Sequence, residues 1–391
     1  MIQRFSTLYA GHVDLPDMGQ NATPANERRY ANEHLASVFA KTEALARTMD
    51  NLGYDALWFA EHHFQTEGYE CLPNLLMLSV HLAHLTKNLR FGCGFNITPM
   101  WHPLRLAEDF AVADILTGGR VIFGVGRGYH TREVETLGGP LLDAEANREI
   151  FEEQVEILFK AFNEESFSHQ GKFYTLPPDV PYRGYQLKEI TLVPRPLRRP
   201  VECWQPIVSA SQRAMDFMVK HRIKGIVGGG SATMSEAPII AYREAARRAG
   251  LEWQAGENLI IGVSFHIAET REKAIREATP YYEEYVKMFG PLGFVRGLNE
   301  AQLQAISRRG GWAAAGIPTL EDAVTAGTWY CGPPEGFVEY LQELQAKYPG
   351  METVNVSSTM GVPQAVMIEQ LEWFAREVMP AFKHQMAPVG V

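Results

Sequence analysis

The fold of this chain is decided by two stretches, LGYDALWFAEHHF at residues 52–64 and HPLRLAEDFAVADILTGGRVIFGVGRGY at residues 102–129. Both have the layout of an amphipathic helix, a short apolar strand and then polar or small residues where the strand ends. Parallel α/β proteins place their chemistry at that end of the strands. One strand ends in Glu61–His63 and the other in Gly126–Gly128, so we expect imidazoles and an arginine to face the same opening.

Strand-like and helix-like runs alternate along the rest of the chain. Eight strands are predicted, and they are Arg4–Tyr9, Ala56–Ala60, Leu89–Phe95, Val121–Val125, Pro206–Ser209, Gly225–Val227, Leu259–Ile267 and Thr353–Ser357. Helical patterns lie between them, for example at Leu35–Asn51, Pro73–Thr86, Leu104–Leu116 and Glu145–Phe162. Eight strand–helix units are typical of a (β/α)₈ (TIM) barrel, whereas a doubly wound sheet usually has fewer strands.

Composition narrows the class of protein. The 391 residues fit one barrel domain, which we expect to span residues 1–391, because barrels reach about 250 residues and exceed 400 with insertions. The net charge of −10 argues against nucleic acid or an anionic membrane as partner. No apolar run approaches a membrane span, the N-terminus lacks a signal-peptide pattern, and the four cysteines have no CxxC spacing. We therefore expect a cytoplasmic enzyme.

Three long segments between the predicted elements are interpreted as insertion loops, at residues 11–32, 171–200 and 290–316. Loops of this length in a compact domain are usually functional or mobile. The third contains several glycines and the pair Arg308 and Arg309, which could approach an anionic cofactor or substrate. It joins strands seven and eight, so we interpret it as a lid, with a surface excursion as the alternative.

The histidine pair admits two interpretations. Consecutive strand side chains alternate faces, so His62 and His63 cannot easily bind one metal ion from a regular strand. One of them could face the opening as a proton donor or acceptor, because the pKa of histidine lies near neutrality. Both could instead be structural side chains.

The glycines of VIFGVGRGY resemble the start of a dinucleotide-binding fingerprint, but Tyr129 stands where its third glycine is required. Small residues there could let a ligand approach the backbone beside Arg127, which is a natural phosphate partner, or they could serve strand packing. Ser211 could bind phosphate at the start of a helix, or it could simply cap that helix.

These blocks resemble the flavin-dependent bacterial luciferase-like monooxygenase family. GYDALWFAEHHF (53–64) is similar to the strand-two motif of that family, which ends in EHHF. RFGCGFNITPMWHPLRLAEDFAVADILTGGRVIFGVGRGY (90–129) matches its central block almost without gaps, and LEWFAREVMPAFK (371–383) resembles its last helix. The similarity covers most of the chain and implies the same eightfold barrel.

The resemblance implies roles for individual residues. His62 falls on the catalytic histidine near the isoalloxazine. Gly94-Phe95, followed by Asn96, matches a cis peptide beneath the flavin ring. Arg127, next to Gly126, falls on the arginine that holds the flavin phosphate, and Tyr129 on a neighbour of the ring and ribityl chain. Ser211, with Ala210, corresponds to the serine at the phosphate.

The expected activity is a monooxygenase that uses reduced FMN and O₂ on a small organic substrate. A separate NAD(P)H–flavin reductase is the expected partner, the expected assembly is a homodimer, and no metal ligand is expected. The reactive cysteine of luciferase is replaced by Gly126, so light emission is not implied, and the longer 11–32 segment leaves the substrate open. The alternatives are a deazaflavin-dependent hydride-transfer enzyme, a metal-dependent barrel hydrolase using His62, His63 and a carboxylate, and a non-catalytic flavin-binding relative.

Overall fold

Eight parallel strands close into a barrel in the computed structural model, which describes residues 1–228, 236–295, 298–358 and 360–383. We number them β1 to β8, in the order Arg4–Tyr9, Ala56–Phe59, Arg90–Cys93, Val121–Gly126, Cys203–Pro206, Lys224–Val227, Leu259–Ile267 and Thr353–Ser357. Each strand pairs with the next, and β8 pairs with β1 through Arg4 and Thr353. The predicted (β/α)₈ barrel is therefore confirmed.

The fifth strand differs from its prediction. It covers Cys203–Pro206 and not Pro206–Ser209, because Trp204 pairs with Gly124 of β4. Trp204 packs inside the barrel and Cys203 packs outside it, but the polar Gln205 that follows hides this alternation in the sequence. Two further parallel strands extend the sheet, Asn96–Ile97 beside β4 and Trp329–Gly332 beside β7.

Helices surround the barrel as the alternation predicts. They cover Asn32–Leu52, Leu75–Leu85, Pro103–Leu116, Thr131–Val134, Ala144–Asn163, Gln212–Lys220, Glu236–Arg248, Arg271–Phe289, Glu300–Ile306, Trp312–Ala315, Leu320–Thr325, Pro334–Lys347, Gln364–Glu377 and Pro380–Lys383, with short 3₁₀ helices at Ala25–Glu27 and Thr98–Met100. Local signals set their ends. Asp143 accepts hydrogen bonds from the first amides of Ala144–Asn163, and Gly53 ends Asn32–Leu52 with a φ of 77°.

Apolar side chains form two layers. A small cluster that includes Trp58, Ile122, Trp204 and Ile260 fills the barrel interior. A larger cluster fills the space between the strands and the surrounding helices. None of the described helices is both long enough and apolar enough to cross a membrane.

The three long segments contain more regular structure than the sequence indicates. Residues 169–186 form two short hairpins, which fall largely within the second segment. In the third, Ile306 and Trp312 pack on the helix Arg271–Phe289, while residues 296 and 297 lie outside the described part of the chain. Arg309 donates a hydrogen bond to the Thr23 hydroxyl, at 3.1 Å, so the third segment contacts the first.

Candidate functional site

The polar residues after β2 are buried together, and Glu61 organises them. Its carboxylate accepts hydrogen bonds from the Ile97 amide at 2.7 Å and from the Trp101 indole at 2.8 Å. The His63 ring lies 3.2 Å from the same carboxylate. His63 is therefore held on the side of Trp101, and Glu61 fixes the chain that follows β3 against the end of β2.

His62 points to a different set of partners. Its Nδ1 lies 3.1 Å from Glu133 Oε2, and its Nε2 lies 3.0 Å from the Tyr129 hydroxyl. The residue is only 4% exposed. Burial lowers the pKa of His62, but the nearby charges of Glu70, Glu133 and Glu61 outweigh it, so the pKa is raised above its ordinary value. The two histidines thus separate as the alternation of faces predicts.

Glu70 continues this network. It accepts a hydrogen bond from the Tyr129 hydroxyl at 2.7 Å, and its other oxygen lies 2.9 Å from His130 Nε2. Sequence reasoning missed Glu70, His130 and Glu133. His130 and Glu133 directly follow the Gly126–Tyr129 strand end, which is a signal that could have found them, whereas nothing local marks Glu70 in its loop.

Three of these residues have the spacing of a metal site. One ligand atom each of His62, Glu70 and His130 lie within 4.8 Å of one another. The metal-dependent hydrolase alternative expected His62, His63 and a carboxylate as ligands, whereas His63 does not belong to this group. We interpret the group as a hydrogen-bond network because Tyr129 donates into its centre and each of the ligand atoms already has a hydrogen-bonding partner.

The chain after β3 forms one wall of the opening. The Gly94–Phe95 peptide bond is cis, as the resemblance implies. The Asn96 side chain is buried and donates to the Gly124 carbonyl at 2.9 Å. A Cβ atom on Gly124 would lie 2.0 Å from the Cys93 carbonyl oxygen. For Gly124 the structure therefore favours the strand-packing interpretation.

Gly126 has a similar but looser environment. A Cβ atom there would lie 3.1–3.2 Å from side-chain atoms of Ile97 and Phe95. Its contact with a cofactor stays a prediction, and so do the cofactor contacts of the residues around it.

An arginine pair lies beyond the end of β4. Arg127 donates to the Asn147 side chain at 3.3 Å, and Asn147 donates back to the Arg127 carbonyl at 3.2 Å. Burial and then the charge of the neighbouring Arg148 lower the pKa of Arg127. Among the described residues no carboxylate forms an ion pair with Arg127, and Glu152 lies 3.8 Å from Arg148. The charge of Glu152 raises the pKa of Arg127 and so offsets part of the positive charge, and the Arg127 guanidinium remains a natural partner for an anion such as phosphate.

The helix Gln212–Lys220 is brought to the same place. Ser211 is its N-cap, and the Ser211 side chain makes no capping hydrogen bond. Arg213 pairs with Glu152 at 2.7 Å and also with Glu145, and both carboxylates lie on the helix that carries Arg148. The amides at this helix start, with Arg127 and Arg148, could therefore hold one phosphate group. Arg148 was missed because a charged residue within a helix is usually solvated.

Parts of this chain are similar to known proteins. The oxygenase component of a flavin-dependent trigonelline monooxygenase from Acinetobacter baylyi is 30% identical over 156 residues, which are 40% of this chain. The match covers only 39% of that relative's length.

Solved structures are similar over nearly the whole chain. The oxygenating constituent of 3,6-diketocamphane monooxygenase from Pseudomonas putida, a type II Baeyer–Villiger monooxygenase in complex with FMN, has a TM-score of 0.73 at 19% identity, over 97% of this chain and 99% of that one. An F420-dependent secondary alcohol dehydrogenase has a TM-score of 0.64 at 12% identity, over 97% of this chain and 99% of that one. At these identities the likeness shows the fold alone.

The family itself follows from a longer match. The model of the luciferase-like monooxygenase family matches residues 19–349, which include both strand ends, the network around His62 and the arginine pair. This chain belongs to the luciferase-like monooxygenase family.

Proposed function

We propose that this protein is the oxygenase of a two-component flavin monooxygenase. It takes reduced FMN from a separate NAD(P)H–flavin reductase and uses O₂ to oxygenate a small organic substrate. We also propose a cytoplasmic homodimer and one barrel domain with the three insertions. His62 is the proposed catalytic residue, and the proposed cofactor-binding residues are Gly94, Phe95, Asn96, Gly126, Arg127, Tyr129, Ala210 and Ser211.

The observation that carries this proposal is the anion site at the barrel opening. Arg127 lies near Arg148 and the helix start at Ser211 and forms no ion pair among the described residues, while Glu152 lies 3.8 Å from Arg148. This donor set fits a phosphate monoester such as that of FMN. The His62 network and the Gly94–Phe95 wall follow neighbouring strands, so one ligand could reach both regions.

Bound reduced FMN would supply the activation of O₂ and the transfer of one oxygen atom. The protein's own residues would bind the phosphate, orient the ring and keep water out. Phe294, from the third segment, packs on Tyr129 with ring centroids 5.0 Å apart. This contact supports a role for the segment in covering the opening, while Arg309 bonds to Thr23 and Arg308 lies on the surface.

Ligand titration tests the cofactor. FMN should bind more tightly than riboflavin, and Arg148→Met should weaken FMN binding by about tenfold or more, the cost of about 1.5–3 kcal/mol for losing a charge-assisted hydrogen bond. Riboflavin binding should not change in that variant. Arg105→Met is the matched control, because Arg105 is an exposed arginine that pairs with Glu108 of its own helix, Pro103–Leu116. Equal affinities for FMN and riboflavin would remove the phosphate argument.

Product analysis tests the reaction. Reduced FMN and O₂ should convert one member of a panel of aldehydes, ketones and aromatic compounds to a product containing one more oxygen atom. Tighter binding of F420 than of FMN, with hydride transfer and no oxygen incorporation, would favour the deazaflavin alternative, whose fold is also similar. Stoichiometric metal in the active protein would favour the hydrolase.

A further inference from the structure

Hydrogen bonds around His62 assign the proton on its Nε2. This atom lies 3.0 Å from the Tyr129 oxygen, which lies 2.7 Å from Glu70 Oε1. A tyrosine hydroxyl carries one proton, and a carboxylate only accepts, so the proton between Tyr129 and Glu70 belongs to Tyr129. The Tyr129 oxygen then accepts from His62, and Nε2 is a donor.

The other ring nitrogen is also a donor. Nδ1 lies 3.1 Å from Glu133 Oε2, while the Gln65 amide donates to the second Glu133 oxygen at 2.7 Å. A carboxylate only accepts, so Nδ1 is the donor to Glu133. Burial raises the pKa of Glu133, but the hydrogen bond and charge of a protonated His62 and the charge of His130 lower it by more, which agrees with this assignment. With a proton on each nitrogen, His62 is an imidazolium.

The charges facing the ring agree with this state. The titratable groups around it come from the end of β2, the following loop and the chain after β4, and they are Glu61, Glu70, Tyr129, His130 and Glu133. Arg132 is nearby but pairs with Glu67 at 2.8 Å. A neutral His62 with its proton on Nε2 would leave a bare Nδ1 only 3.1 Å from Glu133 Oε2. A neutral His62 with its proton on Nδ1 would need Tyr129 to donate to Nε2. The Tyr129 and Glu70 oxygens would then lie 2.7 Å apart with no proton between them, unless Glu70 itself were protonated.

We propose that Glu70 and Glu133 are positioning residues that hold His62 as the imidazolium, so that His62 is a proton donor and not a base. This inference rests on the proposed function. When the reaction leaves an oxygen atom of the substrate negatively charged, that oxygen replaces the Tyr129 oxygen as the acceptor of the Nε2 proton, the Nε2–H bond breaks and an O–H bond forms. His62 is left neutral, with its remaining proton on Nδ1 against Glu133.

The same network provides a route for the returning proton. His130, whose side chain is 10% exposed against 1% for Glu70, lies 2.9 Å from Glu70, and Glu70 is joined through Tyr129 to His62. A proton from water can therefore pass along His130, Glu70 and Tyr129 to Nε2. One proton enters for each one donated, so the cycle balances.

The protonation state can be measured in the flavin-free protein. We would label the twelve histidines with ¹⁵N in the ring and identify the His62 signals by their loss in His62→Asn. At pH 7 both His62 nitrogens should have the shifts of protonated nitrogens, and His62 should titrate above the ordinary value of about 6.5. One protonated and one bare nitrogen at pH 7 would overturn the proposal. This measurement on the unmodified network does not depend on whether the variants below fold.

Two variants test the positioning role. Glu70→Gln and Glu133→Gln should each lower the pKa of His62 by about 1 unit or more, because each removes a negative charge within hydrogen-bond distance. Glu43→Gln is the control, since Glu43 pairs with the exposed His81 at 2.8 Å. It should move the His81 signals and leave His62 unchanged. An unchanged His62 titration in both network variants would contradict the proposal.

Turnover separates this inference from the proposed function. With reduced FMN, the Glu70→Gln variant should lose product formation at a lower pH than the unmodified protein, because its acid deprotonates earlier. If FMN binds and product forms but the pH profile is unchanged, the positioning role fails while the function stands. If reduced FMN gives no product although His62 is an imidazolium, the proposed function fails and the protonation state stands.

Discussion

The buried carboxylate of Glu284 gives a sharp test of what holds segment 11–32 against the helix Arg271–Phe289. Glu284 is 0% exposed and accepts hydrogen bonds of 2.7–3.0 Å from the Gly19 amide, the Arg28 guanidinium, the Tyr69 hydroxyl and the Lys287 ammonium. Arg28 and Lys287 are 3% and 2% exposed. One anion is therefore paired with two buried cations, and its removal leaves like charges close to each other.

Glu284→Gln keeps the shape of the side chain and removes the charge. Breaking a buried ion pair by losing one partner costs about 3–5 kcal/mol, so we expect the free energy of unfolding to fall by about 4 kcal/mol. Arg28→Met leaves Glu284 paired with Lys287, 3.0 Å away, so its cost should be smaller, about 2 kcal/mol. Glu284→Gln should therefore lower the free energy of unfolding more than Arg28→Met does, because the first leaves two unpaired cations and the second leaves one ion pair.

Urea unfolding followed by tryptophan fluorescence measures these losses, and the melting temperature of Glu284→Gln should fall by about 8 °C, at about 2 °C per kcal/mol. Glu244→Gln is the control, because Glu244 pairs with Arg247 on an exposed helix face and its loss should not change the midpoint measurably. A loss below about 1 kcal/mol for Glu284→Gln, or a larger loss for Arg28→Met, would refute the reasoning.

Three further outcomes can be measured. His62→Ala should bind FMN nearly normally but form product roughly 10²-fold more slowly. His63→Ala should lose little activity, because the His63 ring contacts Glu61. If a product assay gave the reverse order, His63 and not His62 would be the catalytic histidine. Phe294→Ala should release more hydrogen peroxide per flavin oxidised, because it removes the ring contact with Tyr129. An unchanged ratio of product to oxidised flavin would argue against the third segment covering the opening. Burial and the charge of Lys41 lower the pKa of His12, so the contribution of neutral His12 to stability is complete above about pH 6.5 and is lost as the pH falls. The urea midpoint should therefore decline below that pH, and it should decline less in His12→Gln. Equal slopes in the two proteins would contradict this role of His12.

The barrel was predictable from local patterns. Buried parallel strands are short apolar runs bounded by glycine and polar residues, so β1, β7 and β8 were predicted with their observed bounds. The strand Cys203–Pro206 was misplaced because a polar Gln205 interrupts its apolar alternation. Parallel strands end on one face, and this rule predicted one opening shared by the His62 and Arg127 regions before any contact was known.

Only the tertiary structure decided the partners of these residues. Glu133 reaches His62 across 71 positions of sequence, and Arg28 reaches Glu284 across 256. A carboxylate on a helix or in a loop has the same local pattern whether it is solvated or buried, because its burial depends on how distant segments pack around it. The sequence alone thus determined the barrel and most of its strands, whereas packing determined which charged side chains meet at the strand ends and surround His62.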